Sequence, residues 1–239
     1  MGFSIELQNL GYSVSPNRFL LDGISLTVPT GAFVALLGEN GAGKTTLMDL
    51  LVGFKKPTHG KLLVNDKEPA QDPWEQRKTI SYLSEKMGLP GDWSVAEFLK
   101  FNRYFYPGYS SELESQLLGL FKVNPAQRIF NLSAGEIRRV QVVSSLSINP
   151  ELVLADEITA VLDIIGRQKF LSFLSELNRT RQTTVILATN ILEDLINHIS
   201  HVALISRGRL SLFKEKKQFL GGEEPSQFSK IVAKHLDTL

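Results

Sequence analysis

The stretch FVALLGENGAGKTTLMDLLVGF, residues 33–54, decides how the rest of the chain is read. FVALLG, residues 33 to 38, is a nearly continuous apolar run ending in glycine, the pattern of a short strand buried on both faces. KTTLMDLLVGF then has the composition of a helix, closed by Gly53 and Pro57. Between them, Gly38 to Thr45 fits the spacing G-x-x-x-x-G-K-[ST] in the strand-to-helix context that this motif requires. Glycines let the backbone wrap so that successive amides point inward at phosphate oxygens, and the helix start adds the positive end of its dipole. Gly38, Asn40, Gly41, Ala42, Gly43, Lys44, Thr45 and Thr46 are therefore the candidate nucleotide contacts. Lys44 would reach the β and γ phosphates, and the Thr45 hydroxyl would ligate Mg²⁺.

A phosphate loop needs a carboxylate for the metal at the end of a neighbouring strand. ELVLAD, residues 151 to 156, is a second buried run, and it ends in Asp156. Glu157 follows at once, so one carboxylate can serve the metal while the next polarises a water; capping of a following helix is the plainer role for both. TTVILATN, residues 183 to 190, is a third run of this kind, and strands interleaved with helices imply a mostly parallel sheet in an α/β fold. After Asn190 the segment ILEDL reads as a helix, for which Asn190 would be the cap.

Working outward, SIELQNL and ISLTV read as two antiparallel strands flanking the turn-rich SVSPNR. From about Lys86 to Pro150 the texture is helical. Ser94–Glu97, Ser111–Glu114 and Ser133–Glu136 each match the Ser-x-x-Glu capping box. Ala96, Phe98, Phe101 and Phe105 can form an aromatic stripe on the first of these helices, for which core packing is the plain reading and a groove for a partner helix the alternative. The expected division is an α/β core over 1–85 and 150–215, a helical subdomain over 86–149 and a C-terminal tail over 216–239.

Composition excludes more than it assigns. Twenty-six Lys+Arg against twenty-five Asp+Glu leave a net charge of +1, which argues against nucleic acid as a partner. Cysteine is absent, so disulfides and thiolate metal sites are excluded. His198 and His201 sit three apart without a third ligand and read as surface residues. No apolar run approaches the roughly 18 residues of a membrane span, and MGFSIELQNL lacks the order of a signal peptide. The expected location is cytoplasmic unless a partner recruits the chain.

LSAGE, residues 132 to 136, lies between the phosphate loop and ELVLADE, and it resembles the LSGGQ signature of ABC-transporter ATPases. The order of phosphate loop, helical block, LSAGE, strand with Asp-Glu, Leu162-Asp163 and a last strand resembles that family from residue 3 to about 215. The resemblance implies a P-loop ATPase core with an N-terminal antiparallel β subdomain and an inserted helical subdomain. It also implies Mg-ATP, a head-to-tail homodimer or heterodimer with a second cassette, and a separate transmembrane permease at the inner face of the membrane. Ser133 and Gly135 would contact the partner's γ-phosphate in trans, with Glu136 of the same segment counted among the nucleotide-binding residues; Asp163 would be the D-loop aspartate, Asp156 the metal ligand and Glu157 the general base. Glu85 falls at the Q-loop, where glutamate resembles ATPases of ABC-2 type exporters.

Departures from the family pattern carry their own expectations. Ile158 replaces the usual proline, and AVLDII departs from the common D-loop. At the adenine-stacking position Val14 is closest by register and Tyr12 is the nearest aromatic. The switch histidine is replaced by Asn190, which leaves open a cassette that binds ATP and hydrolyses it slowly. A non-transport ABC ATPase is the other alternative. It fits less well, because the chain has one phosphate loop and Leu132 lies only 88 positions beyond Lys44.

Overall fold

The computed structural model describes residues 2–15, 18–84, 88–158, 162–192 and 195–237. Its strands are β1 Phe3–Ser15, β2 Arg18–Pro29, β3 Phe33–Leu37, β4 His59–Val64, β5 Ile80–Ser84, β6 Leu152–Asp156, β7 Thr184–Ala188, β8 His201–Ser206 and β9 Arg209–Glu215. Its helices are α1 Lys44–Leu51, α2 Pro73–Arg77, α3 Val95–Phe105, α4 Ser111–Phe121, α5 Ala134–Leu146, α6 Ile164–Arg181, α7 Lys216–Leu220 and α8 Phe228–Asp237.

The strands form two sheets. β2-β1-β4 is an antiparallel sheet, with Leu7 opposite both Leu26 and Leu62. β5-β6-β7-β3-β8-β9 is a sheet parallel throughout except for β9. This is the α/β P-loop architecture with an antiparallel β unit beside it. In β3, Phe33, Ala35 and Leu37 enter one core cluster and Val34 and Leu36 the other, so the unbroken apolar run reflects burial on both faces. Register then gathers the functional ends. Leu36 lies beside Ala188, Ala188 beside Asp156, and Asp156 beside Ser84. The loops that follow β3, β6 and β7 therefore emerge at one edge, where ligands bind in parallel sheets.

Between β5 and β6 the described residues form helices α3, α4 and α5. Ser94 and Ser133 close capping boxes with Glu97 and Glu136. The third expected box is displaced by one residue: the cap of α4 is Ser110, whose Oγ accepts from Leu113 N at 3.2 Å. Glu114 does not reach back to Ser111, because its carboxylate is held by Arg103 at 3.0 Å and by the Tyr109 hydroxyl. The aromatic stripe also divides. Phe98 is buried with Val95 and Leu99, whereas Ala96 and Phe101 are exposed.

Two other expectations change. His198 and His201, read as surface residues, are half-buried: His198 lies in a turn bonded to Ser175 Oγ at 2.6 Å, and His201 opens β8. Burial of His201 lowers its pKa, with Glu215 opposing. In ILEDL no helix starts at Ile191: Thr189 Oγ1 takes the Ile191 amide at 3.1 Å and turns the chain, while residues 193 and 194 lie outside the described residues. The C-terminal segment packs down, with Phe219, Phe228 and Val232 buried in the larger core cluster.

Candidate functional site

The phosphate loop is shaped by close backbone approach. A Cβ on Gly38 would stand 2.1 Å from the Ile205 carbonyl oxygen, and one on Gly43 2.6 Å from Leu21 Cδ2. Gly43 caps α1 in the left-handed region at φ 110° and, having no side chain, gives the first amides of the helix no cap hydrogen bond. Those amides are left for an anion. Gly208 N donates to Ala42 O at 3.0 Å and anchors the loop to the β8–β9 turn.

Lys44 is 5% exposed, and its ammonium is folded back onto Gly38 O at 2.7 Å and Glu39 O at 3.1 Å. Burial lowers its pKa, while Glu157 and Asp156 pull the other way. Beside it, Thr45 Oγ1 donates to Asp156 Oδ2 at 2.6 Å. Asp156 is 6% exposed, and its Oδ1 is buried without a hydrogen-bond partner among the described residues. Burial raises its pKa; the Thr45 bond and Lys44 lower it, and Glu157 raises it further. A buried carboxylate oxygen without a donor, next to a threonine hydroxyl at a phosphate loop, suits a hard divalent cation. The donor set therefore fits Mg²⁺.

Glu157 sits in the left-handed region at φ 54°, with its amide donating to Ala188 O at 3.0 Å. Such a backbone is uncommon for a residue with a Cβ, and it turns the chain sharply out of β6. Glu157, Asp156, Lys44, Thr45, Thr46 and Asn40 line one cavity of about 910 Å³. From the far side, Asn190 Nδ2 donates to Asn40 Oδ1 at 3.3 Å. The structure thus brings the phosphate loop, both carboxylates and Asn190 together.

Other sequence candidates lie elsewhere. Ser133, Gly135, Glu136 and Asp163 do not line this cavity. Ser133 caps α5; Asp163 caps α6 through Gly166 N at 2.6 Å and accepts from Arg139 Nη2 at 3.0 Å. Val14 is 60% exposed, and Tyr12 packs against the smaller core cluster with the Lys55 ammonium 5.6 Å from its ring centroid. Leu20, rather than either of them, lines the cavity. Glu85 lies outside the described residues.

Sequence reasoning missed Asp49. It lines the cavity, pairs with Lys55 at 2.6 Å and accepts from Tyr82 at 3.2 Å. Burial, then Asp49, raises the Tyr82 pKa. The signal was available, because Asp49 is four residues beyond Thr45 and so shares its face of α1.

Fold and site together define a P-loop nucleoside triphosphatase. Residues 21–160 match the family described as ABC transporter. The energy-coupling factor transporter ATP-binding protein EcfA2 of Streptococcus thermophilus is 31% identical, over 87% of this chain and 80% of its own. The nickel import system ATP-binding protein NikE of Staphylococcus aureus is 31% identical over 82% of this chain and 84% of its own. A solved structure of an ATP-binding subunit of an ABC transporter superposes with TM-score 0.85 at 21% identity, covering 97% of this chain and 98% of that one, a likeness of fold. The chain belongs to the ABC transporter family, and within it to the ATP-binding, ATP-hydrolysing subunits.

Proposed function

We propose that the protein couples Mg-ATP binding and hydrolysis, at the interface of a head-to-tail dimer, to a separate membrane permease. The observation that carries the metal assignment is the buried Asp156 Oδ1, without a partner among the described residues, beside the Thr45–Asp156 hydrogen bond. Thr45 and Asp156 would hold Mg²⁺, which when bound offsets charge on the β and γ phosphates. Glu85, outside the described residues, is a further proposed ligand from its place in the sequence alone. Lys44 would exchange its two loop carbonyls for phosphate oxygens. Glu157, fixed by its backbone bond to Ala188 on the cavity wall, would take the proton of the attacking water.

Ser133 and Gly135 stand at an exposed helix start, away from the cavity of their own subunit, as donors for a partner's γ-phosphate would. Asp163, tied to Arg139, links that helix to α6. Residues 86–149 would move as a helical lobe on the core formed by 1–85 and 150–215, and Tyr12 or Val14 would flank the adenine.

The permease would meet an aromatic surface bridging lobe and core. Trp74 of α2 meets Phe105 of α3 with ring centroids 6.1 Å apart, and Phe105 meets Phe101 at 4.4 Å. Tyr104 is 86% exposed and Phe101 46%. An exposed apolar patch of this kind marks an interaction surface. Among the described residues no helix is long and apolar enough to cross a membrane, so the placement proposed is peripheral, at the inner face beside the permease.

The test combines two substitutions. Glu157→Gln should retain ATP and trap a dimer visible by sizing, and Lys44→Ala should remove nucleotide protection. At one hundred times its Kd a ligand stabilises by about 2.7 kcal/mol. Equal ATP protection of wild type and Lys44→Ala would overturn the site. A second reading, a cassette that binds ATP and turns it over slowly, is favoured by the Asn190–Asn40 contact where the family keeps a histidine.

A further inference from the structure

We propose that Glu136 competes with the γ-phosphate for the signature donors, and so sets the ATP level at which two subunits close. This rests on the trans reading of Ser133 given above. In the isolated subunit, Glu136 Oε2 accepts both the Ser133 amide at 2.9 Å and the Ser133 hydroxyl at 2.7 Å. The return bond runs from Glu136 N to Ser133 Oγ at 3.3 Å. These are the donors an incoming phosphate would use, and a carboxylate already holds them.

Among the described residues, the neighbouring arginines of α5 are largely engaged elsewhere. Arg139, one turn along α5, spends its guanidinium on Asp163 at 3.0 Å, and Arg138 donates to Ser84 O at 3.2 Å and to Gln141. The bonds from Ser133, with a smaller contribution from Arg139, hold Glu136 below the usual carboxylate range, so it stays charged at neutral pH. Ser133 is exposed, and among the described residues nothing beyond the local helix backbone and chain neighbours stands within 4 Å of a Cβ placed on Gly135, so the approach is sterically open. What opposes closure is charge. The γ-phosphate must take over donors that an anion occupies, at a helix end that favours one negative group and is penalised by two. The same competition favours reopening: once the phosphate leaves, Glu136 recaptures Ser133.

Glutamine at this position keeps the reach back to the cap residue and loses the charge. With hydrolysis blocked by Glu157→Gln, adding Glu136→Gln should lower the ATP concentration at half-maximal dimer, by light scattering, on the order of fivefold. The gap should narrow in high salt, which a role in capping alone would not produce. Glu136→Ala should melt lower than its parent, through loss of the cap, yet also close at lower ATP. An unchanged or raised midpoint in Glu136→Gln, with an unchanged melting temperature, would reduce Glu136 to a cap and overturn the proposal. Absence of an ATP-driven dimer in every variant, including the Glu157→Gln parent, would remove the trans reading and this inference with it.

Discussion

Thr45 Oγ1 donates to Asp156 Oδ2 at 2.6 Å across 111 residues of sequence, and the other oxygen of that carboxylate is buried without a partner among the described residues. Burial is the largest influence on Asp156 and raises its pKa. A carboxyl raised in the folded state favours folding at low pH, and that contribution is lost as pH rises through the raised value. At neutral pH the unliganded protein therefore carries an unfavourable buried charge. Asp156→Asn should melt at or above wild type without ligand at pH 7, with the difference fading as pH falls through the raised carboxyl range. With Mg-ATP the order should reverse, and turnover should fall by at least about a hundredfold. Melting curves at two pH values, with and without Mg-ATP, check both signs.

The loop glycines should separate into packing and conformational classes. Alanine at Gly38 would bring its methyl against the Ile205 carbonyl of β8, so the central strands must part. A loss of about 3 kcal/mol or more is expected. Gly41 has φ 82° and open space around it, so Gly41→Ala meets only backbone strain, about 1 kcal/mol. Urea unfolding of the two variants measures the difference; equal losses would show that Gly38 is not wedged against β8.

Gly135 lies in the first turn of α5, and among the described residues nothing beyond its chain neighbours and local helix backbone comes within 4 Å of an added Cβ, so packing within one subunit does not require glycine there. Gly135→Ala should stabilise the protein by up to about 1 kcal/mol through helix propensity. It should also impair ATP-driven dimerisation, because in the proposed dimer the added methyl would stand where the partner's phosphate approaches. A variant that melts higher and closes as readily as wild type would remove Gly135 from the interface.

What the sequence made legible follows from which forces are local. An unbroken apolar run ending in Gly38 and another ending in Asp156 sufficed to place two central strands and the carboxylate between them, because burial on both faces leaves no other pattern. The capping boxes at Ser94 and Ser133 were readable for the same reason, since the groups involved lie within one turn. Ser111 misled because the competitor for Glu114 was Arg103, eleven residues away. Phe101 misled because helical spacing gives the period of a face and not what covers it. Tyr12 turned on strand register, and β1 carries several bulges that composition does not announce. Asp49 was within reach of helical geometry from Thr45, although its bonds to Lys55 and Tyr82 needed the folded chain.

Asn190 reads from sequence as either a helix cap or a substitute for the switch histidine. The turn is made by its neighbour: Thr189, 2% exposed, takes the Ile191 amide at 3.1 Å. Asn190 is left exposed, with its amide 3.3 Å from Asn40 Oδ1 on the phosphate loop. Its structural contribution should therefore be small, and Asn190→Ala should change stability by no more than about 0.5 kcal/mol. Thr189→Val, nearly isosteric, strands the Ile191 amide and should cost about 1 kcal/mol. Kinetically the order should invert. Asparagine is shorter than histidine but keeps an amide donor, which can reach the γ-phosphate through a bridging water. A single oriented donor at such a site is worth on the order of a hundredfold in rate. Asn190→His should thus raise kcat by roughly ten- to a hundredfold with little change in KM, as expected for a contact made only in the transition state. Steady-state ATPase on the purified protein, with its permease, is the measurement. Brisk wild-type turnover that Asn190→Ala leaves untouched would mean that another group handles the γ-phosphate.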